Sequence, residues 1–512
     1  MLKSVYLCNL WTRRLLSGLF FICLIGKAQV VSGGRGHSLV VCRDGTTSAC
    51  GINEDGQLSY NSTDSYRFSP VQVLYQDGSG APATLRDVVA VAAGYGHSLF
   101  LRADGTVWAA GDNEYGQLGD TTTTDRRVAV QVRKPDGTPL TGIRSIAAGY
   151  YHSLFLSTDG TVWAVGENHF GQLGIGTSGG YRKECVKVKG PGGTDTLRNI
   201  IAISAGGEHS LFLTQEGTVW AVGSNSYGEL GDGTFRSKAT PVQVIRSDSS
   251  PLDNVVSISA GDDHSLFLRR DGTVWATGRN YYGQLGIGVM GLADRNVAVQ
   301  VMKADSTPLT DVVAIAAGGE HSLFLRRDGT VWAVGYNLWG QLGDSSLTTR
   351  SLAVQVRTRN GPLTGVVAIA AGVDFSLFVK SDGSVWATGD GSRGRMGVAE
   401  ELVPYERTFA AVPTQFCQAR LSGGSFLSFV TERGRPPLVS PNPNGGLFTV
   451  RLDQGVDRME VRVLDLTGRV IEVIEGRGDA VTVNLVGRPG VYLVEVRTPK
   501  AILTPVKVIV VE

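Results

Sequence analysis

Proline is scarce, at 18 residues in a chain of 512, so the chain is not a disordered Pro/Gly tract. No three-residue glycine period runs through it, which excludes a collagen helix. Neither sign of charge dominates, because 48 basic side chains face 47 acidic ones for a formal net charge of +1. No global basic field is available to hold nucleic acid or an anionic membrane, and no nucleic-acid partner is expected. Beyond the N-terminal segment nothing approaches 18 uninterrupted apolar residues, so no transmembrane segment is expected in the mature chain. Cysteine is limited to six residues without a C-x-x-C pair, which argues against a zinc site. Neither H-E-x-x-H nor a P-loop occurs, and no stretch sustains the periodicity of an amphipathic helix. Glycine, by contrast, is abundant: 68 residues, about twice the usual share.

The N-terminus reads as an export signal. Lys3, Arg13 and Arg14 precede the apolar run Leu15 to Gly26, and Gly26 and Ala28 fit the small positions before a cut at Gln29. Residues 1–28 are therefore expected to be removed on passage to the periplasm, taking Cys8 and Cys23 with them. Cys42, Cys50, Cys185 and Cys417 remain, and export permits disulfides. Cys42 and Cys50 flank one hairpin and are the only locally plausible bridge. A two-residue Asp44-Gly45 turn, however, sets Cys42 against Thr47 and Cys50 against Leu39, which is out of register for bonding.

One unit is written repeatedly. It runs Ala-Ala-Gly-x-x-His-Ser-Leu-Phe-Leu, then Asp-Gly-Thr-Val-Trp-Ala-x-Gly, then x-Asn-x-x-Gly-Gln-Leu-Gly. His37, His97, His152, His209, His264 and His321 mark six copies and Phe375 the seventh, at offsets of 54 to 60 residues. A degenerate eighth opening, Ser422 to Phe426, lacks the rest of the unit. The Asp-Gly pairs separate short apolar runs as tight hairpins do, and Thr-Val-Trp suits a half-buried pleated surface. Stretches such as Val128–Val132 and Val297–Val301 add a fourth strand. Four short strands repeated seven times predict an all-β chain folded as a seven-bladed β-propeller. The surplus half-unit predicts that strands from the two chain ends share a closing blade, because closure removes exposed edges.

The runs Gly111-Asp-Asn-Glu-Tyr-Gly-Gln-Leu-Gly119 and Ala148-Gly-Tyr-Tyr-His-Ser-Leu154 resemble the repeat of the regulator of chromosome condensation superfamily. The resemblance covers about residues 30 to 430 and implies a seven-bladed propeller. Exchange factors, ubiquitin-ligase modules and bacterial inhibitor proteins share this repeat, so it implies fold more narrowly than function. An exchange role is not expected, since export separates the chain from any small GTPase and no basic tail exists for chromatin.

After Phe429 the repeat stops, and Arg433 to Pro437 reads as a linker. Ser440-Pro-Asn-Pro-Asn-Gly-Gly-Leu-Phe448, Val461-Arg-Val-Leu-Asp-Leu-Thr-Gly-Arg-Val470 and Gly490-Val-Tyr-Leu-Val-Glu-Val496 alternate in the manner of a small antiparallel β-sandwich. These runs are similar to the type A C-terminal sorting domain of the type IX secretion system of Bacteroidetes-type bacteria. That resemblance implies the type IX secretion machinery as a partner, with release or anchoring at the outer cell surface. The expected domains are a signal peptide (1–28), the propeller (29–434) and the sorting domain (435–512).

Several patterns are expected to be structural. The six histidines sit between a glycine turn and an apolar strand, which suits buried imidazoles bonded to nearby backbone rather than a metal ring. The recurrent tryptophans from Trp108 to Trp386 are expected between blades. Residues 176–180 fit G-x-S-x-G, and 174–179 and 286–291 fit G-x-G-x-x-G, but no helix is expected to follow them. No catalytic residue, cofactor or metal is expected.

Comparison of the units with one another is more informative. Strand parity places the x-x pair before His-Ser and the x-Asn-x-x-Gly turn on one face of the disc. The first set holds Tyr95, Tyr150 and Tyr151 on early units, then Glu208, Asp262, Asp263, Glu320 and Asp374 on later ones. The second set carries Tyr115, Phe170, Tyr227, Tyr282 and Trp339, expected to be packing residues. A split of tyrosines from carboxylates is not what packing requires. It points to a partner-binding face, with tyrosines as anchors and carboxylates selecting basic or hydroxyl-rich groups. The expected function is a secreted or cell-surface, non-enzymatic recognition propeller binding an extracellular protein or glycan. An enzyme degrading extracellular polymers and a structural envelope protein are the alternatives.

Overall fold

The computed structural model describes residues 29–398 apart from 79, residues 407–420, and strand segments between 438 and 510. The expected export signal (1–28), the eighth opening (422–426) and the linker (433–437) lie outside the described residues. Two units separate, Met1–Ser422 and Gly423–Glu512.

The first unit is a seven-bladed propeller of four-stranded antiparallel blades, the second of which is extended at its outer edge by the short strands Leu74–Tyr75 and Ala83–Thr84. The blades span 31–72, 88–131, 143–187, 200–243, 255–300, 312–355 and 366–413. In each, the run before the glycine turn forms the inner strand, the run opened by His-Ser (Phe375-Ser376 in blade 7) the second, the run after the lower hairpin the third (Val-Trp-Ala in blades 2 to 7) and the following run the outer one. The second strands are buried throughout and alternate sides: Leu99 and Leu101 pack toward one neighbour while Phe100 packs toward the other. The tryptophans lie in the clusters between blades, as expected, with Trp108 buried and the others partly buried.

The lower hairpins differ from the expected two-residue turn. Arg102 N–H bonds the Thr106 carbonyl and Gly105 N–H bonds the Arg102 carbonyl, leaving a three-residue loop with Gly105 at φ +78°. The Asp104 carboxylate accepts both the backbone N–H (2.9 Å) and the hydroxyl (2.6 Å) of Thr106. Asp-Gly-Thr is therefore one device, with an acceptor, a left-handed residue and a donor in sequence. The longer loop also shifts the first hairpin's register, so that Cys50 faces Ser38 and Thr47 faces Val41.

Adjacent blades are tied by a relay of side chains. His97 Nε2 lies 2.9 Å from Ser153 Oγ of the next blade, and that hydroxyl donates to the Gln117 carbonyl at 2.7 Å. Because the serine proton is committed to the carbonyl, Nε2 carries the imidazole proton. Six such contacts run from His37 to His321, each bonding the serine hydroxyl of the following blade rather than backbone. Burial lowers the six imidazole pKa values to about 3 or about 4. The preceding glycine is required by close approach, since a Cβ on Gly94 would stand 2.4 Å from the His97 ring and 2.5 Å from the Gly149 carbonyl.

Closure is shared between the chain ends, and the division is unequal. The inner strand of blade 1 is only Val31–Gly33, whereas those of the other blades have six residues. Residues 418–420 supply its lower part: Ala419 bridges Cys42, Arg43 N–H bonds the Gln418 carbonyl, and Arg420 N–H bonds the Val41 carbonyl. Ala419 N–H also bonds the Gly383 carbonyl, a contact each earlier hairpin makes with the inner strand of its successor. A disulfide between Cys42 and Cys417 staples this composite strand across 375 residues. The Cys42–Cys50 pairing is thus replaced by a pairing of the two ends, and Cys50 and Cys185 are buried free thiols. Sequence distance hid the bridge, because its partners adjoin only once the ring is closed.

The second unit contains Leu438–Pro441, Leu447–Leu464, Val470–Asn484, Gly490–Thr498, Ala501–Ile502 and Val506–Val510, all paired antiparallel.

Two predictions arise from this frame. Cys417→Ser, or reduction of the native protein, is expected to destabilise the propeller by roughly 2–5 kcal/mol; an unchanged melting temperature in reductant contradicts the staple. The imidazoles bind protons more weakly folded than unfolded, so their contribution is complete above about pH 6.5 and is lost toward pH 4. Melting temperature should fall steeply across that interval, and His321→Phe should reduce the slope.

Candidate functional site

The upper turns of blades 1 to 6 are shaped by an asparagine, which Gly391 replaces in blade 7. Asn113 Oδ1 accepts the Leu118 N–H at 3.0 Å, while Nδ2 donates to the Thr122 and Thr124 carbonyls. Gln117 Oε1 accepts the Tyr115 N–H at 3.0 Å, and Leu118 is buried beneath. The base of each loop is thereby fixed and the intervening side chains are turned outward. Both variable sets lie on this face, as strand parity predicts.

The structure brings the predicted tyrosines together. Tyr95 lies 5.1 Å from Tyr150 and 5.4 Å from Tyr151 between ring centroids, and Tyr115 lies 5.2 Å from Tyr151. Arg35 of blade 1 sits over the Tyr95 ring at 4.3 Å, a cation–π contact. Tyr150 of blade 3 reaches past blade 4 to blade 5, where its hydroxyl hydrogen-bonds the Asp262 carboxylate. The short residues of two other blades permit this meeting. A Cβ on Gly207 would stand 3.3 Å from the Tyr150 ring, and one on Gly319 would stand 2.9 Å from the Asp262 carboxylate.

The carboxylates occupy the remaining arc. Arg279 bridges Asp263 at 3.2 Å and Glu320 at 3.1 Å. Among the described residues, Glu208, Asp262 and Asp374 form no ion pair with lysine or arginine. Burial raises the pKa of Asp262 to about 7, with Asp263, Glu320 and Asp374 adding like charge. Burial likewise raises Asp374 to about 6, with Asp390 contributing. Glu208, Asp263 and Glu320 are shifted upward for the same leading reason. Burial pushes the Tyr150 hydroxyl well above its usual range and Tyr151 to about 12.

Outside this centre the face carries exposed apolar side chains among its charged ones. Phe170 and Trp339 are 37% exposed, so the expectation that they are packing residues is not met, whereas Tyr115, Tyr227 and Tyr282 are half-buried. The loop of blade 4 adds Phe235, that of blade 5 adds Tyr281, Met290 and Leu292, and that of blade 6 adds Leu338. Leu292 is 97% exposed. Every large hydrophobic side chain that is exposed among the described propeller residues lies on this face. These loop residues escaped the unit comparison, which was confined to two fixed positions. Arg279 stands just before an asparagine, where the other units carry Ile52, Asp112, Glu167, Ser224, Tyr336 and, before Gly391, Asp390, so the same comparison could have found it.

The enzyme-like patterns fall in these upper loops. Gly176, Gly179 and Gly180 have positive φ, as do Gly286, Gly288 and Gly291, and no helix follows either run. No group of three or more His, Cys, Asp or Glu among the described residues is arranged to hold a metal ion.

Comparison with known proteins agrees with this architecture. The RCC1-like domain pattern matches residues 180–436. The regulator of chromosome condensation (RCC1) repeat matches 88–117, 143–172 and 104–156. The secretion system C-terminal sorting domain matches 438–512. The ultraviolet-B receptor UVR8 of Arabidopsis thaliana is 27% identical over 73% of this chain and 80% of its own length. The probable E3 ubiquitin-protein ligase HERC6 of Homo sapiens is 34% identical over 52% of this chain, which spans only 25% of that protein. The crystal structure of human WBSCR16 shares the fold, with a TM-score of 0.58, 24% identity, and coverage of 70% of this chain and 88% of that one.

The raised carboxyl pKa of Asp262 gives a prediction of opposite sign to the imidazoles. A carboxyl held more tightly protonated when folded stabilises at low pH, and that contribution is lost as pH rises through about 7. Asp262→Asn is expected to raise stability by roughly 1–3 kcal/mol at pH 8 and to change little at pH 5. Equal effects at both pH values, read by thermal melting, contradict the placement of this charge.

Proposed function

The chain belongs to the RCC1-like family, and from that premise we propose that it is a secreted or surface-held propeller that recognises a protein through its upper face without catalysis. The sorting domain over 438–512 points to export to the cell surface or beyond. Export through the type IX secretion machinery is part of the same reading, with that machinery as the partner of the second unit.

The observation that carries it is the one-sided placement of exposed apolar side chains. A ring whose lower turns are capped Asp-Gly-Thr loops has no structural need for Leu292 or Met290 in water. Exposed apolar surface gathered in one region marks a contact with another molecule. Protein is favoured over glycan because Met290, Leu292 and Leu338 are aliphatic or thioether side chains, whereas sugars stack chiefly on aromatic faces. The tyrosine cluster supplies rigid anchors beside them, and the half-buried carboxylates supply selectivity.

The test uses the mature chain as bait for secreted and envelope proteins. Leu292→Asp combined with Trp339→Ala should lower capture of its specific partner at least tenfold while the melting temperature holds. Undiminished capture removes the face from the interaction.

A further inference from the structure

We infer that the sector of the upper face over blades 4 to 6 docks a protein segment that is apolar along its length and directs a lysine or arginine toward the axis. This rests on the protein-recognition reading and specifies the partner's chemistry.

Three loops in succession supply the apolar part, with Phe235 on blade 4, Met290 and Leu292 on blade 5, and Trp339 on blade 6. They form a joined surface because each loop is bonded to the next blade. Gly233 N–H donates to the Asn296 carbonyl, and Gly288 N–H donates to the Ser351 carbonyl. Charge sets the inner edge of the sector. Asp262 lines the central opening, and Glu208, Asp263, Glu320 and Asp374 follow one residue further along their turns; among the described residues the ion pairs of this set with lysine or arginine are those of Arg279, bridging Asp263 and Glu320. An apolar strip ending on an excess of carboxylate is complementary to an apolar segment ending in a cation. Arg35 over Tyr95 shows the same face already accommodating a guanidinium on one of its rings. A second copy of this chain is disfavoured, because a two-fold contact sets the same patch against itself and opposes carboxylate to carboxylate.

The experiment measures fluorescence anisotropy of three labelled nine-residue peptides with the mature full-length protein. They share one leucine–tryptophan frame and carry two lysines, two serines or two glutamates. The lysine peptide is expected to bind at least tenfold more tightly than the glutamate peptide, with serine intermediate. Its advantage should shrink as salt rises from about 50 to 500 mM. Asp263→Asn with Glu320→Gln should abolish the lysine preference while leaving the serine peptide bound. Leu292→Asp with Trp339→Ala should weaken all three. Equal or tighter binding of the glutamate peptide overturns the inference but leaves protein recognition standing if the Leu292/Trp339 variant still loses binding. Binding of no peptide, or sedimentation of the free protein as a dimer held by this face, overturns it as well. Undiminished capture of natural partners by the Leu292/Trp339 variant removes both readings.

Discussion

Each imidazole of the ring can donate from Nε2 only because the serine beyond it has turned its own proton toward a carbonyl of the blade behind. That arrangement fixes three groups from two blades within hydrogen-bonding distance and in full burial, where a missing partner costs about 1–3 kcal/mol. Much of the repeat is written around it. The glycine before the His-Ser pair leaves room for the ring, and the Gln-Leu pair of the upper turn delivers the carbonyl that the serine needs. A neutral histidine is required, and burial lowers its pKa far enough to keep it neutral.

The seventh seam lacks this relay. Phe375 replaces histidine, and Ser38 donates instead to the Arg395 carbonyl at 2.5 Å, with no imidazole donating in return. Arg395 stands where the other units have Gln or Glu and pairs with Asp390 at 2.7 Å, so the turn is held by charge. This seam is also where the two chain ends meet, and it carries the composite inner strand and the Cys42–Cys417 staple. The ring is therefore closed by different chemistry at the one place where chain connectivity cannot hold neighbouring blades together.

The frame was legible in the sequence because it is repeated. Glycine, Asp-Gly-Thr and His-Ser recur in register, and seven-fold repetition separates signal from coincidence. The Tyr95–Tyr150–Tyr151 cluster and the carboxylate arc were legible for the converse reason, as departures at fixed positions. Features joining unequal places were not. The bridge from Cys42 to Cys417 links positions that only ring closure brings together, and the reach of Tyr150 to Asp262 depends on glycines at Gly207 and Gly319. Leu292 and Phe235 lie in loops whose length varies from unit to unit, so no column of the repeat contains them. The three-residue hairpin loop was missed because Asp-Gly alone fits either turn, and the Thr106 contacts to Asp104 decide between them.

The two faces of the disc obey different constraints. On the lower face each hairpin must accept the inner strand of the next blade, so its residues answer to the fold and repeat closely. On the upper face the asparagine, where it is present, holds the loop chiefly through backbone groups, and many side chains beyond the base vary from unit to unit. A charge or an apolar side chain placed there costs the frame little, which lets the face diverge blade by blade. Tyrosines on blades 2 and 3 bury part of their area against one another, and carboxylates on blades 4 to 7 crowd until burial and mutual repulsion raise their pKa values. Crowding of that kind opposes folding. The crowded carboxylates lie beside exposed leucine and tryptophan, so this face departs from what the ring beneath it requires in charge and in apolar exposure alike.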